Sequence, residues 1–147
     1  MNRTIRFIQP AFACVLLILL SACASSGPTF SEMQNSVMAP SGNMGRIYVY
    51  RTSILGAAIQ PSVKLDGVTV GDAVPRGYFY IDKPAGSYKI STETEVDRAV
   101  SLTLEAGQTR YVRLDPTFGF VVGHISPILV EAGQGQSEIK DCHYTGK

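Results

Sequence analysis

The chain has 147 residues, 13 Lys and Arg against 12 Asp and Glu, a formal charge of +1, and 45% hydrophobic residues. That is enough apolar material for one domain with a real core. No basic block stands out, so phosphate-driven nucleic-acid binding is excluded as the leading chemistry.

Arg3 and Arg6 precede the apolar run Ala11–Leu20, which ends in Leu20-Ser21-Ala22-Cys23. A charged start, a short apolar stretch and small residues at the cleavage point read as a signal peptide. The run is ten residues long, about half of what spans a bilayer, and Pro10 interrupts any longer helix. The cysteine after the small pair marks a lipoprotein processing site. Its thiol takes a diacylglycerol, and cleavage exposes its amine for a further acyl chain. Each buried methylene contributes about 0.8 kcal/mol and one chain holds only marginally, so two or three make a durable anchor. Ala24 follows the cysteine where an Asp would redirect sorting. By resemblance to Gram-negative sorting rules, this places the anchor in the outer membrane, facing the periplasm.

Loss of residues 1–22 leaves 125 residues with eleven basic against twelve acidic, a charge of −1. Cys14 leaves and Cys23 is lipidated, so Cys142 has no intrachain disulfide partner. In an oxidising compartment such a thiol is either packed away or paired with another chain, and packing is the preferred reading. Residues 24–44, rich in Ser, Gly, Pro and Asn, read as a flexible tether of roughly 25 Å root-mean-square span. Ser31, with Gln34 three residues on, is placed to cap a short turn through Met38.

From Gly45 the pattern is β. Arg46–Arg51 alternates, and Val63–Val70 is a hairpin about Asp66-Gly67, a pair suited to the positive φ angles of a two-residue turn. Tyr78–Ile81 is a strand, Pro84-Ala85-Gly86 a turn into Ser87–Glu95, and Arg98–Leu104 alternates cleanly. Ala106-Gly107 turns the chain into Gln108–Asp115. Pro116–Val130, with Phe118, Phe120, Val121, Val122 and three Gly or Pro interruptions, reads as a core-packing connection, and Ile128–Glu131 as the last strand. Gly133 and Gly135 argue against much helix beyond it. The predicted fold is all-β: a single antiparallel β-sandwich of about seven to eight short strands over residues 45–147, after a signal peptide (1–22) and a lipidated tether (23–44).

Few constellations carry chemistry. Gly123-His124-Ile125-Ser126, with Asp115 nearby in sequence, suggests a hydrolase or transferase, but no nucleophile-elbow motif surrounds a serine. That reading requires His124 in a cleft within hydrogen-bond reach of a nucleophile. Cys142 and His143 are adjacent and point to opposite faces of an extended strand, and no second Cys/His pair completes a metal site. Glu93, Glu95 and Asp97 share a face that suits calcium in principle, but reads better as a solvated edge. Gly133-Gln134-Gly135 lacks the setting of a nucleotide loop. No cofactor or metal is expected. Tyr48, Tyr50, Tyr78, Tyr80 and Tyr111 lie opposite their aliphatic neighbours and form a possible recognition surface for sugars or protein. The competing reading has them covering the sheet beneath loops or the tether.

The motifs also resemble a family as a set. Gly45–Arg51, Val63–Gly71, Gly77-Tyr78-Phe79-Tyr80, Pro84-Ala85-Gly86-Ser87-Tyr88, Ala106–Arg113 and the ending Cys142–Lys147 are together similar to bacterial lipoproteins carrying the "domain of unknown function 2846". The resemblance covers about residues 44–147. It implies a β-rich envelope module and supplies no catalytic residues. At the level of fold the turns also resemble small surface β-domains of the PEGA type. The functional expectation is a lipid-anchored, non-enzymatic binding or structural module of the cell envelope. Its partners are the membrane and an envelope protein or polysaccharide; the alternatives are His124 catalysis and sugar-polymer binding on the tyrosine face.

Overall fold

The computed structural model describes residues 25–93, 98–118 and 123–146, so the predicted signal peptide, Cys23, Glu95, Asp97 and residues 119–122 lie outside the described residues. β1 (Met44–Tyr50) is the pivot of the larger sheet. It pairs antiparallel with β4 (Gly77–Pro84) and parallel with β7 (Thr109–Phe118). β8 (Gly123–Val130) lies antiparallel outside β7, and β9 (His143–Tyr144) lies parallel outside β4. The second sheet is antiparallel: β2 (Ser62–Leu65), β3 (Val68–Asp72), β5 (Gly86–Thr92) and β6 (Arg98–Leu104), in the order β3-β2-β5-β6.

This corrects the expected single antiparallel β-sandwich. Among the described residues there are two sheets, of five and four strands, with parallel pairs in the larger one. Two short helices, α1 (Phe30–Met33) and α2 (Ala132–Glu138), accompany them. The reason lies in β1. Gly45–Tyr50 is buried throughout, with Ile47 and Val49 toward the second sheet and Tyr48 and Tyr50 on the opposite side. Continuous burial on both faces suits a strand with a parallel neighbour. In sequence, Ile-Tyr-Val-Tyr reads as one inner and one outer face; in the fold both are inner.

Between the sheets, Ile47, Val63, Phe79, Ile90, Leu102 and Leu114 belong to one core. The Asp66-Gly67 turn has φ angles of 50° and 85° and joins paired Leu65 and Val68, as the sequence predicts. Pro116–Val130 is not a connection leading to a short strand. β7 and β8 continue through it, with Pro116 opposite Ile125 and Leu114 opposite Pro127. Both prolines sit where the ladder has an open side: pairing of β7 with β1 ends at Arg113, and β8 is an edge.

Arg51 follows β1 and is fully buried. Its Nη1 donates to the carbonyls of Ile59 and Ala73, each at 2.8 Å, and its Nη2 to those of Leu55 and Gly56. It therefore ties the 52–60 loop to the 73–76 loop. Burial pulls its pKa down, and backbone dipoles rather than a carboxylate meet the charge.

Candidate functional site

Tyr48, Tyr50, Tyr78 and Tyr111 are no more than 7% exposed. They do form a row with Tyr80 on the outer face of the larger sheet, but that face is covered. Phe30 enters edge-on, 5.2 Å from the Tyr48 ring and 5.6 Å from the Tyr78 ring, while Tyr48 stacks on Tyr111 at 5.4 Å and 19°. Ile139 and Cys142 close the layer. Burial raises the phenols, Tyr78 to about 12 and Tyr50 and Tyr111 also upward. A ligand stacking along the row would have to displace both chain ends. Of the five candidate rings, Tyr80 keeps partial exposure.

The cover has its own determinants. Thr29, not Ser31, caps α1: its side chain accepts from the Glu32 amide, while its own amide donates to the Glu32 carboxylate at 2.7 Å. Those bonds hold the Glu32 pKa below the usual range. The preceding residues run along β9. Pro28 O accepts from Tyr144 N, Gly27 O from His143 Nδ1 at 2.7 Å, and the Phe30 amide donates to Cys142 O. At Gly27 a Cβ would lie 2.1 Å from Tyr144 O, so only glycine fits. Residues 25–30, predicted as tether, are thus docked on the domain.

On the other side α2 packs through Gly135, where a Cβ would lie 2.3 Å from the Tyr111 ring. The glycine that argues against helix in the sequence is the one that lets this helix approach. Glu138 at the helix end accepts from Tyr50 Oη at 2.7 Å and from Arg113 Nη1, while Arg113 also holds Asp115 at 2.8 and 2.9 Å. Burial pushes the Glu138 carboxyl up, but bonds from Gln134, Tyr50 and Arg113 outweigh it and hold the pKa low.

Where β3 and the β4–β9 edge part, a cleft of about 380 Å³ opens. Ser62, Thr69, Asp72, Tyr80, Tyr144 and Thr145 line it, over Phe79. The Tyr80 and Tyr144 rings are 5.9 Å apart and tilted by 36°. Ser62 Oγ donates to Asp72 Oδ1 at 3.1 Å, aligning the carboxylate. Tyr80 also borders a groove of about 480 Å³ beneath residues 36–41. There Arg46 pairs through two bonds with Asp82 and lies 4.3 Å over the Tyr80 ring. Hydrogen bonding to Asp82 raises the Arg46 pKa. Aromatic walls, an aligned carboxylate and several hydroxyls suit recognition of a polar, ring-bearing ligand.

Asp115, Thr117, His124 and Ser126 share a face of the β7–β8 hairpin, with Asp115 opposite Ser126 and Thr117 opposite His124. The Asp115 carboxylate is engaged by Arg113, and Thr117 Oγ1 and Ser126 Oγ lie 3.3 Å apart. His124 lines neither the cleft nor the groove. Cys142 is buried, and burial pushes its thiol up to about 12. Among the described residues no three His, Cys, Asp or Glu side chains are grouped to hold a metal ion, and no helix is long and apolar enough to cross a membrane. The sequence reading missed Asp72, Ser62 and Tyr144. A two-residue strand such as β9 has no period to detect, and the cleft exists only once the two sheets diverge.

Residues 41–125 match a family model described as "Protein of unknown function (DUF2846)". An uncharacterized protein of Haemophilus influenzae is 31% identical over 142 residues, which cover 90% of this chain and 84% of that protein. No solved structure matches. The family match runs from just before β1 into β8 and so takes in the pairing of β1 with its neighbours and the whole second sheet. The chain belongs to the DUF2846 family of proteins of unknown function.

Proposed function

We propose that this protein is a non-enzymatic binding module of the bacterial cell envelope, anchored by lipid on Cys23 in the outer membrane and facing the periplasm. Its ligand is a polyhydroxylated chain, an envelope sugar polymer, taken at the cleft between β3 and the β4–β9 edge. The observation that carries this reading is the cleft itself: Tyr80 and Tyr144 as paired rings beside the Ser62–Asp72 carboxylate. Partly exposed tyrosines offer apolar faces to sugar rings, while carboxylate and hydroxyl oxygens accept and donate to sugar hydroxyls. The anchor rests on the Leu20–Cys23 processing site, and the relative in a bacterium supports the setting.

Two experiments test it. Co-sedimentation with purified peptidoglycan and other insoluble envelope glycans retains the wild-type protein. Tyr80→Ala and Tyr144→Ala each lower the affinity about tenfold, as for the loss of one stacked ring. Thermal unfolding of both variants checks that the domain is intact. Equal retention of both by every glycan removes the cleft reading. Separately, Cys23→Ser abolishes fatty-acid labelling and membrane fractionation; persistence of both removes the anchor.

A further inference from the structure

The two ends of the domain differ. At one end lie tight turns: Asp66-Gly67, Ala85 between β4 and β5, and Gly107 before β7. At the other end, β1 runs into the 52–60 loop and β4 begins at Gly77, the two joined by the bond from the Arg51 amide to Gly77 O. Ile54 and Leu55 on that loop are 64% and 58% exposed. Arg76 is also exposed there, and Arg51 fastens the loop to the 73–76 segment beside it.

The docked N-terminal segment leads to the same end. Ser25 Oγ donates to Arg76 O at 3.1 Å. Cys23 is two residues earlier and therefore at most about 7 Å of extended chain from this attachment. A free tether would instead hold the domain roughly 25 Å from its anchor.

From these two observations we infer that the end of the domain bearing Ile54, Leu55 and Arg76 rests directly on the lipid surface, with the turns about Asp66, Ala85 and Gly107 pointing away. This rests on the proposal that Cys23 is acylated. The partner is a phospholipid bilayer: the apolar pair enters the boundary between headgroups and acyl chains, and the Arg76 guanidinium meets headgroup phosphate. The cleft, lined by Val74 and Thr145 near this end, then opens beside the membrane rather than at the far tip.

The test uses the full acylated protein in phosphatidylcholine vesicles that carry a nitroxide on the lipid headgroup. A fluorophore is placed through Leu55→Cys, Arg76→Cys or Ala85→Cys, one per protein. Native Cys142 is buried and stays unlabelled. Labels at positions 55 and 76 are quenched several-fold more than the label at 85. Ile54→Ser combined with Leu55→Ser lowers quenching at position 76 while thermal unfolding shows the domain intact. Equal quenching at all three positions in acylated protein overturns this inference alone. Mass spectrometry showing no acyl chain on Cys23 overturns the anchor and this inference together.

Discussion

The space between the sheets and the outer face of the larger sheet are both largely buried, but they are closed by different means. Between the sheets, aliphatic side chains from strands of both sheets interlock, and no part can leave without unpairing a ladder. On the outer face a row of tyrosines is closed by Phe30 and by the stretch from α2 to β9, which come from the two chain ends. That layer can open while β1, β4 and β7 stay paired. Equal burial therefore does not mean equal cooperativity: the first region is the global unit and the second a local one.

Truncation inside the first region breaks the most. Ile47→Ala removes a side chain with no exposure and costs about 2–5 kcal/mol, read from the denaturant midpoint of the whole domain. Phe30→Ala acts on the second region and costs less, about 1–3 kcal/mol. Its signature is amide exchange: Phe30 and Tyr144, whose amides bond across the docked segment, lose protection while Val49 keeps it. Loss of Val49 protection in step with Phe30 merges the two regions into one.

Gly135→Ala tests the same layer from the other side. The new methyl collides with Tyr111, so α2 moves off at about 1–3 kcal/mol and the tyrosine near-ultraviolet dichroism falls. An unchanged spectrum would show that α2 does not pack as described. Glu138→Gln has the smallest effect at neutral pH and the clearest dependence on acidity. The folded-state pKa of Glu138 is depressed, so its stabilisation is present above the unfolded value of about 4.3 and lost as pH falls through the folded value. The variant flattens that part of the acid-unfolding profile, and an unaltered slope excludes Glu138 as its source.

The first region was largely legible in the sequence and the second was not. Arg98–Leu104 is a strand over the predicted residues, and Asp66-Gly67 turns where its chemistry requires. These are local signals. The tyrosine row was legible as a row, because alternation is local too. What covers it was not: the contact between Phe30 and Tyr78 joins distant residues, and Gly135 reads in isolation as a helix breaker. The prolines at 116 and 127 misled for a related reason, since their cost depends on which side of the strand has a neighbour, a property of the sheet alone. Of the candidate cleft, Tyr80 was visible, while Asp72 and Tyr144 became partners only through the edges of two sheets.

Arg51 makes a joint chemically unlike those of the other arginines. Arg46 and Arg113 hold their parts through carboxylates, and the Arg113 joint weakens once Glu138 takes up a proton. Arg51 is a permanent cation riveted to backbone carbonyls out of reach of salt. A joint without a counter-ion has nothing to titrate. As the pH falls α2 loosens at Glu138, while the 52–60 loop stays riveted to its neighbour.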